Sequence, residues 1–143
     1  MIKKSIAVII SFMLMGSMTY AAENNKAFVY VGGESFSFEN FIIRNNRTLV
    51  RYDCGLFEKL GYVTSYDEIN HEVIIRNSNA VVTAFMNDYV IYRNGLTSYT
   101  ADVRCDIVGK QIYIPLRGFA ESLGFKVSWD DKARNIIISA QDQ

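Results

Sequence analysis

Apolar and polar residues alternate through much of this chain, and in two short places the period lengthens to that of a helix. In "FKVSWDD", Phe125, Val127 and Trp129 fall on one side of a strand, and "NIIIS" returns as its partner. Ahead of them, Ile112 to Ile114 reads as a β-branched strand that Pro115 ends, because proline has no N–H to give a ladder and suits a first helical turn. Phe119, Ala120 and Leu123 then share a helical face, and Gly124 follows as a left-handed cap. The helix spans about two to three turns, too short to stand without a sheet beneath it.

The same grammar occurs 63 residues earlier. "TLVRYDCGLFEKLGYVTSYDEINHEVII", from Thr48, aligns without a gap on "QIYIPLRGFAESLGFKVSWDDKARNIII", from Gln111, with eight identities in 28 positions. Gly55 matches Gly118, Glu58 matches Glu121, and Leu60-Gly61 matches Leu123-Gly124. Leu56, Phe57 and Leu60 give the first copy its apolar helical face. Hairpins precede each helix, turning at Gly32-Gly33 and at Asn94-Gly95, and "AVVTAFMN" supplies one strand between the halves. The fold class expected is α+β: mostly antiparallel β-sheet with one short helix packed on it per repeat, in two tandem repeats. The domain boundaries expected are a signal peptide over 1–21, a first, degenerate repeat over 22–79 and a second over 80–143.

The N-terminus changes the picture of where this fold works. Lys3 and Lys4 precede a largely apolar run from Ile6 to Met15, and small residues follow Gly16. Thr19 and Ala21 suit cleavage after Ala21, and the run is short for a membrane span. The expectation is an exported chain, secreted or held at the cell envelope, with no stable membrane anchor after cleavage. Without Lys3 and Lys4, 13 basic side chains face 15 acidic ones with no basic stripe, which argues against nucleic acid as a partner. Cys54 and Cys105 leave two alternatives: a disulfide, as an exported chain favours, or two separate buried thiols.

The stretch "GKQIYIPLRGFAESLGFKVSWDDKARNIII" resembles the copper amine oxidase N-terminal-like domain, also called the stalk domain. The resemblance rests on Ile114-Pro115-Leu116-Arg117, Glu121, Leu123-Gly124, Trp129-Asp130 and the branched run Ile136 to Ile138. It implies a five-stranded antiparallel sheet around a helix, an accessory role remote from copper in the oxidases, and an exported module, often paired, in bacterial surface proteins. It implies a structural role for Pro115, Leu116, Arg117, Glu121, Leu123, Gly124, Trp129 and Asp130. The first copy departs from the pattern, with Tyr52-Asp53-Cys54 in place of Pro-Leu-Arg and Tyr66 in place of Trp. Asp53 is expected there as the helix N-cap.

Candidate chemistry is sparse. A copper amine oxidase centre takes three histidines and a quinone-forming tyrosine, whereas His71 is the one histidine and no matching tyrosine motif occurs, so oxidase activity is rejected. Asp67-Glu68 and Asp130-Asp131 hold equivalent turns, which explains both pairs without catalysis. No catalytic, metal or cofactor residue is assigned. Arg117 and Glu121 are spaced to pair across a helical turn. Tyr89, Tyr92 and Tyr99 are candidates for a binding surface. The function expected is a non-catalytic binding or scaffolding module whose partner is a protein, a cell-wall polymer or a second copy of itself. A secreted hydrolase, or a regulator of one, with an unrecognised site is the alternative.

Overall fold

The computed structural model describes residues 27–31, 33–38, 41–130 and 135–140. The expected signal peptide, Gly32 and Asp131 lie outside them. Thirteen strands and two helices lie among the described residues. The first stretch holds β1 (Ala27–Val31), β2 (Glu34–Phe38), β3 (Phe41–Arg44), β4 (Arg47–Arg51), α1 (Leu56–Lys59), β5 (Val63–Asp67) and β6 (Glu72–Arg76). After β7 (Val81–Phe85) come β8 (Val90–Arg93), β9 (Leu96–Thr100), β10 (Asp106–Val108) and β11 (Gln111–Pro115). The chain then runs through α2 (Leu116–Ser122), β12 (Phe125–Asp130) and β13 (Asn135–Ala140).

Local turn chemistry explains most of these boundaries. Asn94 and Gly95 both take positive φ, 51° and 84°, as a two-residue turn matched to strand twist requires. Asn94 also holds the neighbouring strand: its Oδ1 accepts from the Val81 amide at 2.9 Å, and its own amide donates to the Val81 carbonyl at 2.8 Å. The expected acidic turn forms around Asp67, whose carboxylate accepts from the amides of Ile69 and Asn70 at 2.9 and 3.1 Å. Those bonds, with a third from the Asn70 side chain, lower the Asp67 pKa. Asp130 closes β12, its backbone opposite Asn135.

The strands form three sheets. β5 to β9 make a five-stranded antiparallel meander, with α2 packed on β8 and β9. A second sheet has the order β10-β11-β4-β3, its central pair joined by Tyr113 opposite Arg51, Ile114 opposite Val50 and Pro115 opposite Leu49. The third has the order β12-β13-β1-β2 and brings the two ends of the described chain together. There β1 runs parallel to β13, with Tyr30 opposite Ile137, while the other strand pairs are antiparallel.

The first helix is shorter than the pattern suggests, while the second keeps about two turns. α2 has seven residues and α1 four, a single turn. Asp53 does not cap α1. Its carboxylate takes a forked bond from Arg51 at 3.0 and 3.2 Å, and Gly55, with φ 97°, enters the helix two residues later. That late entry, closed by Gly61 at φ 96°, leaves room for one turn. Pro115 is the N-cap of α2, with φ −65° and ψ 117°, and Gly124 ends it at φ 101°.

One apolar cluster collects residues from all three sheets and both helices, with Phe57 and Phe119 meeting edge to face at 6.5 Å between centroids. Leu123 lies within this cluster, and the half-buried Leu60 packs against it. The sheet β10-β11-β4-β3 is covered on both faces. Val50 and Ile114 enter the main core, while Leu49 and Tyr113 form a smaller cluster with Val103. The segment after β9 therefore folds across the back of that sheet, and its residues Ala101, Asp102 and Val103 line a cleft.

Candidate binding cleft

Pro115 stops β11 and turns the chain into α2, which presents Leu116, Arg117 and Gly118 along one wall of a cavity of about 450 Å³. Trp129 and Ile136, register partners on β12 and β13, form the opposite wall. Parity puts Trp129 on the inner side of its strand with the buried Val127, but that strand is at the edge of its sheet and Trp129 stays 42% exposed. Ile43 and Arg47 from the β3–β4 hairpin, with Asp102 and Val103 from the segment after β9, complete the enclosure.

The polar groups here are matched in charge. Arg47 Nε donates to both carboxylate oxygens of Asp102, at 3.0 and 3.1 Å, and Nη2 lies 2.8 Å from Oδ2. These side chains remain 53% and 59% exposed, so the pair contributes at most about 1 kcal/mol to stability. Arg117 Nη1 donates to Glu121 Oε2 at 3.1 Å, the pairing expected from their spacing, and to the Val127 carbonyl at 2.8 Å. The second bond ties α2 to β12. Two further contacts fix the helix: Arg93 Nη1 donates to the Ser122 carbonyl at 2.7 Å, and the hydroxyls of Ser98 and Ser122 bond at 2.9 Å.

Gly118 matters for a reason that differs from its aligned partner's. Gly55 needs positive φ, whereas Gly118 needs space: a Cβ there would stand 2.5 Å from Ile91 Cδ1 and 3.0 Å from the Tyr99 ring. Tyr99 thereby touches the floor of α2 and lines the cleft. The other two candidate tyrosines lie elsewhere. Tyr92 meets Phe85 edge to face at 6.3 Å. Tyr89 is 45% exposed beneath the Arg104 guanidinium, 5.6 Å from its centroid, and lines a smaller pocket of about 180 Å³ beside Cys105 and Asp106. The three tyrosines do not share one surface.

Cys54 and Cys105 are both free thiols, the second of the two alternatives, with Cys105 buried and Cys54 partly so. Register explains their separation. Asp106 and Arg51 both pair with Tyr113 from opposite sides, which puts β10 and β4 two strands apart. Cys105 lies one residue before Asp106 and Cys54 three residues beyond Arg51, so they are also displaced along the strand direction. Two strand spacings, about 10 Å, already exceed a disulfide's reach. Burial pushes the Cys105 thiol up to about 12 and raises that of Cys54, opposite to the shift a nucleophilic cysteine needs.

His71 is exposed in its turn, with Nδ1 3.3 Å from the Tyr66 hydroxyl. Among the described residues no three histidine, cysteine, aspartate or glutamate side chains cluster as metal ligands. No helix among them is long and apolar enough to cross a membrane.

Pro115, Leu116, Arg117 and Trp129 thus line the cleft, while Glu121, Leu123 and Gly124 hold the helix that shapes it. Ile43, Arg47, Asp102 and Val103 carried no signal in the sequence, because only non-local strand pairing brings them to Trp129. A family model described as the copper amine oxidase N-terminal domain matches residues 19–138. No curated protein and no solved structure matches the chain.

Proposed function

The chain belongs to the copper amine oxidase N-terminal domain family, and from that premise we propose an exported, non-catalytic binding module that holds its partner in the cleft beside Trp129. The observation that carries this is the convergence of Pro115, Leu116, Arg117 and Trp129 on one open cavity. Residues that only brace a fold would be consumed in packing. Here an indole stays exposed on the inner side of a sheet, next to paired charges. The copper of the family's name has no fitting donor set in this chain: His71 is its one histidine and lies in a solvent-facing turn.

In this reading the mature protein works outside the cytoplasm after cleavage following Ala21, as a secreted or envelope-associated chain binding a wall polymer or a protein. It also includes two degenerate copies of one unit, over 22–79 and 80–143. The order β4-α1-β5-β6 recurs as β11-α2-β12-β13, and the β4–β11 pairing keeps its register when the copies are exchanged. The halves would interlock, since β1-β2 from the first pairs with β12-β13 from the second. The end strands β5 and β9 of the five-stranded sheet offer edges for self-association, which makes a homodimer the other partner proposed.

The test expresses the full chain in a bacterial host, determines where it accumulates and what its first residue is, and then sediments the purified product with cell walls and with wall-anchored protein fractions. Ala22 as the first residue, recovery outside the cytoplasm and retention lost in Trp129→Ala support the proposal. Cytoplasmic retention with an intact N-terminus would overturn export, and retention unchanged in Trp129→Ala would overturn the cleft.

A further inference from the structure

Resting on that reading of the cleft, we infer that its ligand is an uncharged saccharide, the end of a short oligosaccharide stacked on Trp129 and hydrogen-bonded by the Arg47–Asp102 pair. Three observations select this class. The first is charge. Both arginines facing the cavity already have carboxylate partners, Arg47 in Asp102 and Arg117 in Glu121, and Arg117 spends a further donor on the Val127 carbonyl. An anionic ligand would have to break an ion pair or meet Asp102, whereas a neutral one leaves both pairs intact.

The second is the polar rim. The Arg47–Asp102 fork is more than half exposed and offers donors and acceptors a few ångströms apart. Neighbouring hydroxyls of a sugar, each both donor and acceptor, can take one bond of each kind from such a pair. The third is the wall. An exposed indole in a cleft also lined by Ile43 and Val103 gives the apolar face of a pyranose ring a flat surface to cover, and about 450 Å³ suits a small ligand rather than a protein side.

Among the described residues, the equivalent corner of the first half is filled. Tyr52 and Tyr66 stand where the alignment has Pro115 and Trp129, and their rings lie 6.4 Å apart, occupying the corresponding corner. The expected stoichiometry is therefore one saccharide per chain.

Trp129 is the one tryptophan of the chain, so its fluorescence and its indole N–H resonance report this cleft alone. The experiment titrates the mature protein with chitotetraose and cellotetraose, with a sulfated tetrasaccharide and an uncharged tetrapeptide as comparisons, and follows both signals alongside calorimetry. The expected result is a saturable Trp129 response to a neutral tetrasaccharide at one site per chain. Binding should weaken by about tenfold in Asp102→Ala, which removes hydrogen bonds from an exposed position without touching the core. If the peptide or the sulfated sugar moves Trp129 and the neutral sugars do not, the saccharide is wrong and the cleft survives. Calorimetric binding of neutral sugar with Trp129 unmoved would overturn the cleft as well, as would silence from every probe.

Discussion

Gly118→Ala sets two opposing effects against each other at one atom. Alanine is the better helix former by about 1 kcal/mol, and at an exposed helical site the substitution would stabilise. At Gly118 the new methyl would stand 2.5 Å from Ile91 Cδ1 and 3.0 Å from the Tyr99 ring. Tyr99 is half-buried and has some room to yield, but Ile91 is fully enclosed in the main cluster, so its terminal methyl can move only by displacing neighbours. Overpacking of this kind costs about 1–3 kcal/mol. The net expectation is a loss of up to about 2 kcal/mol, or several degrees in Tm. Urea unfolding followed by far-UV circular dichroism measures it.

Ile91→Val removes the offending carbon and supplies the control. Alone it should cost about 0.5–1.5 kcal/mol. In the Gly118→Ala background it should cost little or restore stability, giving a coupling of about 1–2 kcal/mol between the two positions. A stabilised Gly118→Ala protein, or costs that simply add, would refute the argument that the helix is seated on Ile91.

Other expectations concern the thiols, the helix anchor and the core. Burial pushes the Cys105 thiol from the ordinary 9.0 up to about 12, so its neutral form favours the folded state. Its contribution is intact below pH 9 and declines as pH rises from 9 towards 12, and Cys105→Ala should flatten the fall seen in urea midpoints over that window. Both thiols are free, so Tm should be unchanged by reductant, and a thiol reagent should label them slowly until the protein unfolds. Arg117→Ala loses the bond to the Val127 carbonyl and should cost about 1 kcal/mol, with Glu121→Ala costing less because only the exposed ion pair goes. Phe119→Ala should cost about 3–5 kcal/mol by opening a cavity against Phe57.

Local chemistry was legible from the chain wherever one residue dictates the backbone. Asn94-Gly95, Pro115, Gly124 and the Asx turn at Asp67 each specify their own geometry, and each stands where the alternating pattern puts it. The inner face of β12 followed from parity, with Val127 buried, whereas β11 escaped it because Tyr113 and Ile114 are both buried, one on each face of a covered sheet. What depends on distant segments was not legible. Nothing near Tyr30 announces its parallel partner Ile137, since an alternating strand pairs equally well in many registers. The length of the first helix was set by Gly55 in competition with an apolar spacing that would have allowed more. Export chemistry argued for joining Cys54 to Cys105, whereas strand order holds them apart. The cleft falls between these cases. Its motif residues were visible as a motif, but Arg47 and Asp102 lie 55 positions apart, and only the folding of the post-β9 segment over the sheet pairs them.

Hydrogen–deuterium exchange of the mature chain, with and without soluble fragments of purified cell wall, tests most directly whether the family-specific residues form the binding surface. The account predicts slowed exchange confined to the amides of 101–103, 116–118 and 127–129, with the outer face around Phe85 and Tyr92 unchanged. Protection centred on that outer face, with those three segments unaffected, would contradict it.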